Sequence, residues 1–181
     1  MSPLFVVGGA RSGKSSFAQR LADRQAKDRG LPVVYLATAQ ASDAEMAQRI
    51  ARHRAERPSG WETAEVALDP AAWLRHRETP SVVLLDCLSL LLNNWLFLGR
   101  FDETRCLMEM DELDGALMDL PGPCIVVSNE VGQGIVPGDP LSRLYRDLLG
   151  VFNQRMAAKA DAVYHVVAGI AVDLRRLEAS L

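Results

Sequence analysis

Near its beginning the chain reads Gly8-Gly9-Ala10-Arg11-Ser12-Gly13-Lys14-Ser15. This octet follows a short apolar run at 4–7 and precedes a segment at 16–22 with helical spacing. A glycine-rich loop between a strand and a helix brings backbone N–H groups and the positive end of the helix dipole around an anion. The octet therefore predicts a triphosphate site in which Lys14 contacts the outer phosphates and the Ser15 hydroxyl holds Mg²⁺. A glycine turn that binds nothing is the alternative interpretation.

Length and composition indicate an ordinary globular protein. The chain has 181 residues, of which 49% are hydrophobic and 24% charged, so residues 1–181 are expected to form a single nucleotide-binding domain. The net charge of −3 gives no general attraction to nucleic acid. The N-terminal apolar run is short, and no apolar run is long enough to span a bilayer. We therefore expect a cytoplasmic protein without a membrane span.

The cysteines predict neither a zinc site nor a disulfide framework. They are odd in number, far apart and without a C-x-x-C pair, at Cys87, Cys106 and Cys124. Cys87 and Cys124 lie at the ends of apolar strands, so they are expected to be reduced core residues.

Apolar runs and helical patterns alternate along the chain. Buried strands are predicted at 3–7, 32–37, 81–86, 123–128 and 162–167, and a short extended segment at 60–66. Helices are predicted at 14–28, 42–56 (capped by Ser42 or Asp43), from 69 onward, 88–98, 102–119 and 140–160. Strands joined by helices form a mainly parallel sheet with helices on both faces. We therefore predict an α/β fold, the three-layer sandwich of P-loop NTPases.

Ligands of such sheets bind beyond the carboxyl ends of the strands. Those ends carry the phosphate loop at 8–15, Thr38, Asp86 and the pair Asn129-Glu130, so these polar residues are expected to meet at one rim. Asp86 ends an apolar strand, which is where P-loop proteins place an acid that organises magnesium. A cap for the helix that begins at Leu88 is the alternative role of Asp86.

One predicted helix carries basic residues around a histidine. If its last turn stays helical, steps of four place Arg49, His53 and Arg57 along one side. Clustered guanidinium groups bind phosphate and disfavour the protonated imidazole, so His53 is expected to be neutral and able to attack phosphorus. His53 also shares a face with Met46 and Ile50, and packing is the more common role of such a histidine.

Two glutamates follow that helix in the extended segment. A carboxylate of Glu62 or Glu65 can pair with the N1–H and the N2 amino group of guanine through two parallel hydrogen bonds. An exposed acid without a ligand is the more common case.

The motifs continue along nearly the whole chain. They are GGARSGKS at 8–15, YLATA at 35–39, EMAQRIARHR at 45–54, RP at 57–58, WETAE at 61–65, LLDCL at 84–88, NEVGQGIVP at 129–137 and RDLLGVFNQ at 146–154. In this order they resemble the bifunctional adenosylcobinamide kinase / adenosylcobinamide-phosphate guanylyltransferase family of cobalamin synthesis. Several ordered motifs are far more specific than the phosphate loop alone.

The resemblance implies two reactions and a covalent step. ATP or GTP phosphorylates the aminopropanol hydroxyl of adenosylcobinamide, and GTP guanylylates a histidine that matches His53, which releases pyrophosphate. The GMP then passes to adenosylcobinamide phosphate and gives adenosylcobinamide-GDP. By the same match Lys14 is catalytic, Ser15 and Asp86 hold Mg²⁺, and the GTP contacts are Gly8, Gly9, Ala10, Arg11, Ser12, Gly13, Lys14, Ser15, Ala37, Thr38, Ala39, Arg54, Ala55, Glu56, Arg57, Glu65 and Asp86.

The family also implies a homotrimer with sites between subunits. Some members have two adjacent histidines where this chain has Arg52 and His53, which leaves His53 as the candidate at this point. Two other hypotheses remain open. One is a simple P-loop kinase of another small alcohol or nucleoside without a covalent step, and the other is a nucleotide-binding regulatory module.

Overall fold

A mostly parallel sheet forms the centre of the protein. The computed structural model describes residues 1–41, 43–55 and 57–179, without the side chain of Arg49. The strands are β1 (Leu4–Gly8), β2 (Val33–Ala37), β3 (Glu62–Glu65), β4 (Val82–Asp86), β5 (Cys124–Asn129), β6 (Ala162–Val167) and β7 (Ile170–Asp173). They lie in the order β3-β2-β4-β5-β1-β6-β7, and only the pair β6–β7 is antiparallel. Ser42 and Glu56, which were predicted as a cap and a GTP contact, lie outside the described residues.

Helices connect the strands. They are α1 (Lys14–Arg29), α2 (Ala44–Ala55), α3 (Pro70–Arg75), α4 (Leu88–Phe97), α5 (Glu103–Met118), α6 (Pro140–Lys159) and a short 3₁₀-helix (Leu174–Leu177). An aspartate side chain just before four of them accepts a hydrogen bond from the backbone N–H three residues on, at Asp43, Asp69, Asp102 and Asp139. No helix in the described ranges combines the length and apolar character that crossing a bilayer requires.

The two faces of the sheet bury different sets of side chains. Val6, Leu84 and Val127 face a cluster that includes the buried alanines of α1. Alternate residues such as Phe5 and Leu85 point the other way, into a larger cluster built with α3, α4, α5 and α6. Helices therefore cover both faces, which confirms the predicted three-layer α/β sandwich.

The hairpin that ends the sheet is a structural feature that the sequence patterns did not predict. β6 and β7 are joined by Ala168 and Gly169, both with positive φ, at 50° and 81°. A two-residue turn with positive φ at both positions matches the twist of a hairpin, but alanine rarely adopts this conformation. The usual turn signal is therefore missing here.

The end of α2 lies close to the predicted one. The helix ends at Ala55, so its last turn does not extend to Arg57, and the condition for Arg57 to share a helical side with His53 is not met. Pro58 accounts for this helix end, because a residue before proline avoids the helical region. The position of Arg57 is instead set by contacts with β2 and β3.

All three cysteines are buried and unpaired. Burial raises the pKa of the Cys87 thiol to about 11 and that of Cys124 to about 12. Both thiols therefore stay protonated at neutral pH, and the prediction of reduced core residues at these two positions is confirmed.

Candidate active site

The phosphate loop joins the end of β1 to the start of α1. Gly13 precedes the helix in the left-handed region, with φ of 91°, and the first turn of α1 contains no acidic residue. Lys14 donates a hydrogen bond from Nζ to the carbonyl oxygen of Gly9 at 3.2 Å, so its ammonium group folds back over the loop. An anion at the start of α1 would meet the lysine and the positive end of the helix dipole.

Gly8 allows the loop to approach the neighbouring strand closely. A Cβ atom at Gly8 would lie 2.5 Å from the backbone oxygen of Val166 and 2.7 Å from Ser12 Oγ. The backbone oxygen belongs to β6 and cannot rotate away, so any larger residue displaces the strand or the loop. At Gly9 the corresponding space is open.

Replacement of Gly8 with alanine is expected to lower the free energy of unfolding by about 2 kcal/mol, because the added methyl overlaps the β6 backbone. Urea unfolding followed by circular dichroism measures this change. Gly9→Ala is the matched control, and its free energy of unfolding should stay within about 1 kcal/mol of the wild-type value. Equal losses in both variants would contradict the steric argument.

The carboxyl ends of five strands bring the predicted polar residues to one rim. Gly8 of β1 pairs with Asn129 of β5, and Ala37 of β2 pairs with both Asp86 of β4 and Glu65 of β3. This is the edge at which ligands of parallel sheets bind.

A pocket opens at this rim below α2. It is lined by Lys14, Ser15, Tyr35, Ala37, Ala39, Met46, Ile50, His53, Arg57, Glu65, Asp86, Cys87, Leu90 and Asn129. Met46, Ile50 and His53 are the half-buried members of α2 among its described side chains, and all three line the pocket. The apolar face of α2 therefore covers the pocket rather than the core, and the His53 ring is on that face.

Asp86 is held by a neighbouring strand. The Tyr35 hydroxyl donates a 2.6 Å hydrogen bond to Asp86 Oδ2. Burial and then the negative charge of Asp86 raise the pKa of the Tyr35 phenol far above its ordinary value, so the phenol stays protonated as a donor. α4 begins after Cys87 without a side-chain cap, so the alternative role of Asp86 as a helix cap is not observed.

Oxygen ligands for a magnesium ion are present beside the loop. The Ser15 hydroxyl and the Asp86 carboxylate line the same pocket, and both are the hard oxygen donors that Mg²⁺ prefers. No group of three or more His, Cys, Asp or Glu side chains that could by itself hold a metal ion occurs in the described residues. Mg²⁺ in nucleotide sites needs no such group, because the substrate phosphates and water complete its shell. The residues therefore fit the ion.

Two basic residues near His53 are held by side chains of β2 and β3. The Arg57 guanidinium lies 3.6 Å from the centre of the Tyr35 ring and donates to Thr63 Oγ1 at 3.2 Å. The buried Nε of Arg57 has no hydrogen-bond partner among the described residues. Arg54 forms an ion pair with the Glu65 carboxylate, so these two side chains neutralise each other at the pocket edge.

A family model described as cobinamide kinase / cobinamide phosphate guanyltransferase matches residues 4–174. The chain belongs to this family. The bifunctional adenosylcobalamin biosynthesis protein CobP of Pseudomonas aeruginosa is 47% identical over 171 residues, which cover 94% of this chain and 95% of the relative. The CobU proteins of Salmonella typhimurium and Escherichia coli K12 are each 38% identical, and the matches cover 95% of this chain and 99% of each relative.

Membership of the cobinamide kinase / cobinamide phosphate guanyltransferase family confirms the resemblance found in the ordered motifs. It makes the protein an enzyme with kinase and guanylyltransferase chemistry, and it removes the regulatory module as a competing hypothesis.

Several residues that were predicted to contact GTP do not line the pocket. Ala10, Arg11 and Ser12 line a second groove on the outer side of the loop, together with Glu130 and His165. The buried Thr38 hydroxyl bonds the N–H and the carbonyl oxygen of Cys87, so it ties the ends of β2 and β4 together.

A second group of predicted residues is exposed. Arg54 and Ala55 are exposed at the end of α2. Glu62 forms a bidentate ion pair with Arg77, at 3.0 and 2.9 Å, and does not line the pocket, whereas Glu65 does. Of the two glutamates proposed for guanine, Glu65 is therefore the one at the site.

Other pocket residues were not predicted to belong to the site. Tyr35, Leu90 and Cys87 look like core residues in the sequence, because each lies in an apolar run. A signal for Tyr35 existed, since a hydroxyl in an otherwise aliphatic strand needs a partner when buried. The identity of that partner requires knowing that β2 and β4 are neighbours.

Proposed function

We propose that this protein phosphorylates adenosylcobinamide with ATP or GTP and transfers GMP from GTP to adenosylcobinamide phosphate through a guanylyl group bonded to His53. The observation that carries the proposal is that His53 lines the same pocket as Lys14 and Ser15 of the phosphate loop. If the β- and γ-phosphates of a nucleotide occupy the loop, its α-phosphate therefore lies in the pocket that His53 lines.

In the guanylyl step, an imidazole nitrogen of His53 attacks the α-phosphorus of GTP. A phosphorus–nitrogen bond forms while the bond from the α-phosphorus to the bridging oxygen breaks, and pyrophosphate leaves. A phosphate oxygen of adenosylcobinamide phosphate then attacks the same phosphorus. The bond to nitrogen breaks, its electron pair returns to His53, and adenosylcobinamide-GDP is released.

In the kinase step, the substrate hydroxyl attacks the γ-phosphorus of ATP or GTP, and the nucleoside diphosphate leaves. The hydroxyl proton passes to water. Lys14 lies on the phosphate loop and is suited to stabilise charge on the outer phosphates in both steps.

Four further side chains support binding of the nucleotide. Ser15 and Asp86 are the residues that would hold Mg²⁺, which supplies neutralisation of phosphate charge when bound. The Arg57 guanidinium, which lines the pocket, offers N–H donors to a phosphate oxygen. Glu65 offers a carboxylate to the edge of guanine.

A homotrimer is part of the proposal. Two neighbouring apolar side chains in the loop after β5 support an assembly, because Ile135 is 97% exposed and Val136 59% exposed in the isolated chain. Contiguous exposed apolar side chains are a feature of surfaces that meet another subunit.

Labelled GTP tests the proposed chemistry. After incubation with GTP labelled at the α-phosphorus, we expect label to remain on the denatured protein, to be lost in acid and to persist in base, as in a phosphoramidate. Addition of adenosylcobinamide phosphate should move the label to a small-molecule product. GTP labelled at the γ-phosphorus should instead label adenosylcobinamide.

The same experiment distinguishes the proposed function from that of a simple kinase without a covalent step. A simple kinase transfers only the γ label, and no α label stays with the protein. That outcome would remove the covalent step and leave the kinase step standing.

A further inference from the structure

Tyr35 is the one polar side chain in the otherwise aliphatic strand β2. It is 3% exposed, yet its hydroxyl reaches the rim of the sheet. The register explains this reach, because Tyr35 pairs with Leu84 and Asp86 lies two residues further along β4 on the same face. Diagonal neighbours of this kind are within reach of a long side chain. The result is the 2.6 Å hydrogen bond to Asp86 Oδ2.

The ring of Tyr35 makes a second contact with the pocket. The Arg57 guanidinium lies over the ring face at 3.6 Å from its centre. The negative face of an aromatic ring attracts a cation. This contact therefore holds the guanidinium of Arg57 in place, although Arg57 lies beyond the end of α2. One side chain thus touches the acid on the magnesium side of the pocket and the arginine on the His53 side.

We propose that Tyr35 is a positioning residue for the nucleotide, which orients Asp86 toward the metal ion through its hydroxyl and seats Arg57 for the phosphates through its ring. The inference rests on the proposed function only in assigning Mg²⁺ to Asp86 and phosphate to Arg57.

The hydroxyl acts by fixing which carboxylate oxygen faces the pocket. Tyr35 donates to Oδ2, and no described residue donates a hydrogen bond to Oδ1. Oδ1 is therefore the oxygen left for the ion. A metal ligand held by a second hydrogen-bonded group loses rotational freedom, and removal of such a group weakens metal binding about 10- to 100-fold.

The hydroxyl is tested by Tyr35→Phe, which keeps the ring. The measurement is the dissociation constant of Mn²⁺, a spectroscopic substitute for Mg²⁺, by electron paramagnetic resonance with a non-hydrolysable GTP analogue at saturation. We expect this dissociation constant to rise about tenfold. With the metal chelated, the affinity for the GTP analogue should be unchanged, because Arg57 keeps its aromatic partner.

A matched control removes a comparable buried hydrogen bond elsewhere. Tyr145 donates to the Ser89 carbonyl oxygen at 3.1 Å and does not line the pocket. Tyr145→Phe should leave the Mn²⁺ dissociation constant unchanged. An equal rise in both variants would mean that Tyr35 acts only through general packing.

The ring is tested by Tyr35→Leu in the absence of metal. The affinity for the GTP analogue should fall about three- to tenfold, because the guanidinium loses its cation–π partner. The same substitution in an Arg57→Ala background should cause no further loss. This comparison of the two backgrounds remains valid even if Tyr35→Leu lowers stability, because a loss of affinity caused by poorer packing would appear in both backgrounds.

A second cycle tests whether the hydroxyl acts through Asp86. Tyr35→Phe should not change Mn²⁺ affinity further in an Asp86→Ala background. An additive effect there, or unchanged Mn²⁺ affinity in Tyr35→Phe alone, would overturn the proposal. None of these binding measurements involves adenosylcobinamide or a bond to His53, so failure of the proposed function would leave their outcome intact.

Discussion

Replacing His53 with alanine should abolish covalent labelling by α-labelled GTP, with a loss of about 1,000-fold or more in the rate of GMP transfer. The reason is that alanine supplies no atom able to bond to phosphorus. Phosphorylation of adenosylcobinamide should stay within about threefold of the wild-type rate, because the phosphate loop and the Ser15 and Asp86 oxygens are untouched. Filter-bound label and product chromatography measure the two rates in the same preparation.

Two histidine variants serve as controls for that result. His76 lies at the end of α3, with Nδ1 2.7 Å from the carbonyl oxygen of Ala72 and no part in the pocket, so His76→Ala should keep both activities. His165 lines the groove on the outer side of the phosphate loop. Label retained in His53→Ala but lost in His165→Ala would place the covalent bond on the wrong side of the loop for this proposal and would refute it.

The second large effect is expected from Lys14→Ala, which should slow both reactions about 100- to 1,000-fold. Lys14 lies in the phosphate loop, and both reactions move charge onto the outer phosphates when the bond from the γ- or the α-phosphorus to its bridging oxygen breaks. Lys14→Arg should not restore the rates, because a planar guanidinium does not replace a compact ammonium group in a tight loop. Initial rates with γ-labelled and α-labelled GTP give the two losses separately.

Lys27 provides the control on the same helix. Its ammonium group pairs with Asp23 at 2.6 Å in an exposed position, so Lys27→Ala should leave both rates unchanged. If Lys14→Ala abolished the kinase reaction but left self-guanylylation intact, the two reactions would not share one triphosphate cradle. The proposal of a common pocket would then fail, even with a guanylylated histidine.

Much of the fold follows from local patterns. The octet at 8–15 predicted a strand, a loop and a helix, and β1 and α1 occupy those positions. The apolar runs that became β2, β4, β5 and β6 were recognised because strands buried on both faces are apolar throughout. β7 was missed because its turn uses Ala168, a residue that rarely takes positive φ.

The candidate site was predictable to the extent that it lies at strand ends. Asp86 and Asn129 meet the phosphate loop because the carboxyl ends of parallel strands share one edge. The helical spacing of Met46, Ile50 and His53 predicted that they share a face, but not that this face covers a pocket instead of the core. Arg57 was predicted to align with His53 only if the last helical turn reached it, and it lies beyond the helix, stacked on Tyr35.

By itself the sequence determined the phosphate loop, the alternation of strands and helices, and the family, because each depends on residues close together in the chain or on the order of motifs. Only the tertiary structure decided that Tyr35 bonds Asp86, that Glu65 rather than Glu62 reaches the pocket, and that Thr38 ties two strands together. These contacts join residues on different strands. They depend on which strands become neighbours and in what register, and no local spacing encodes that choice.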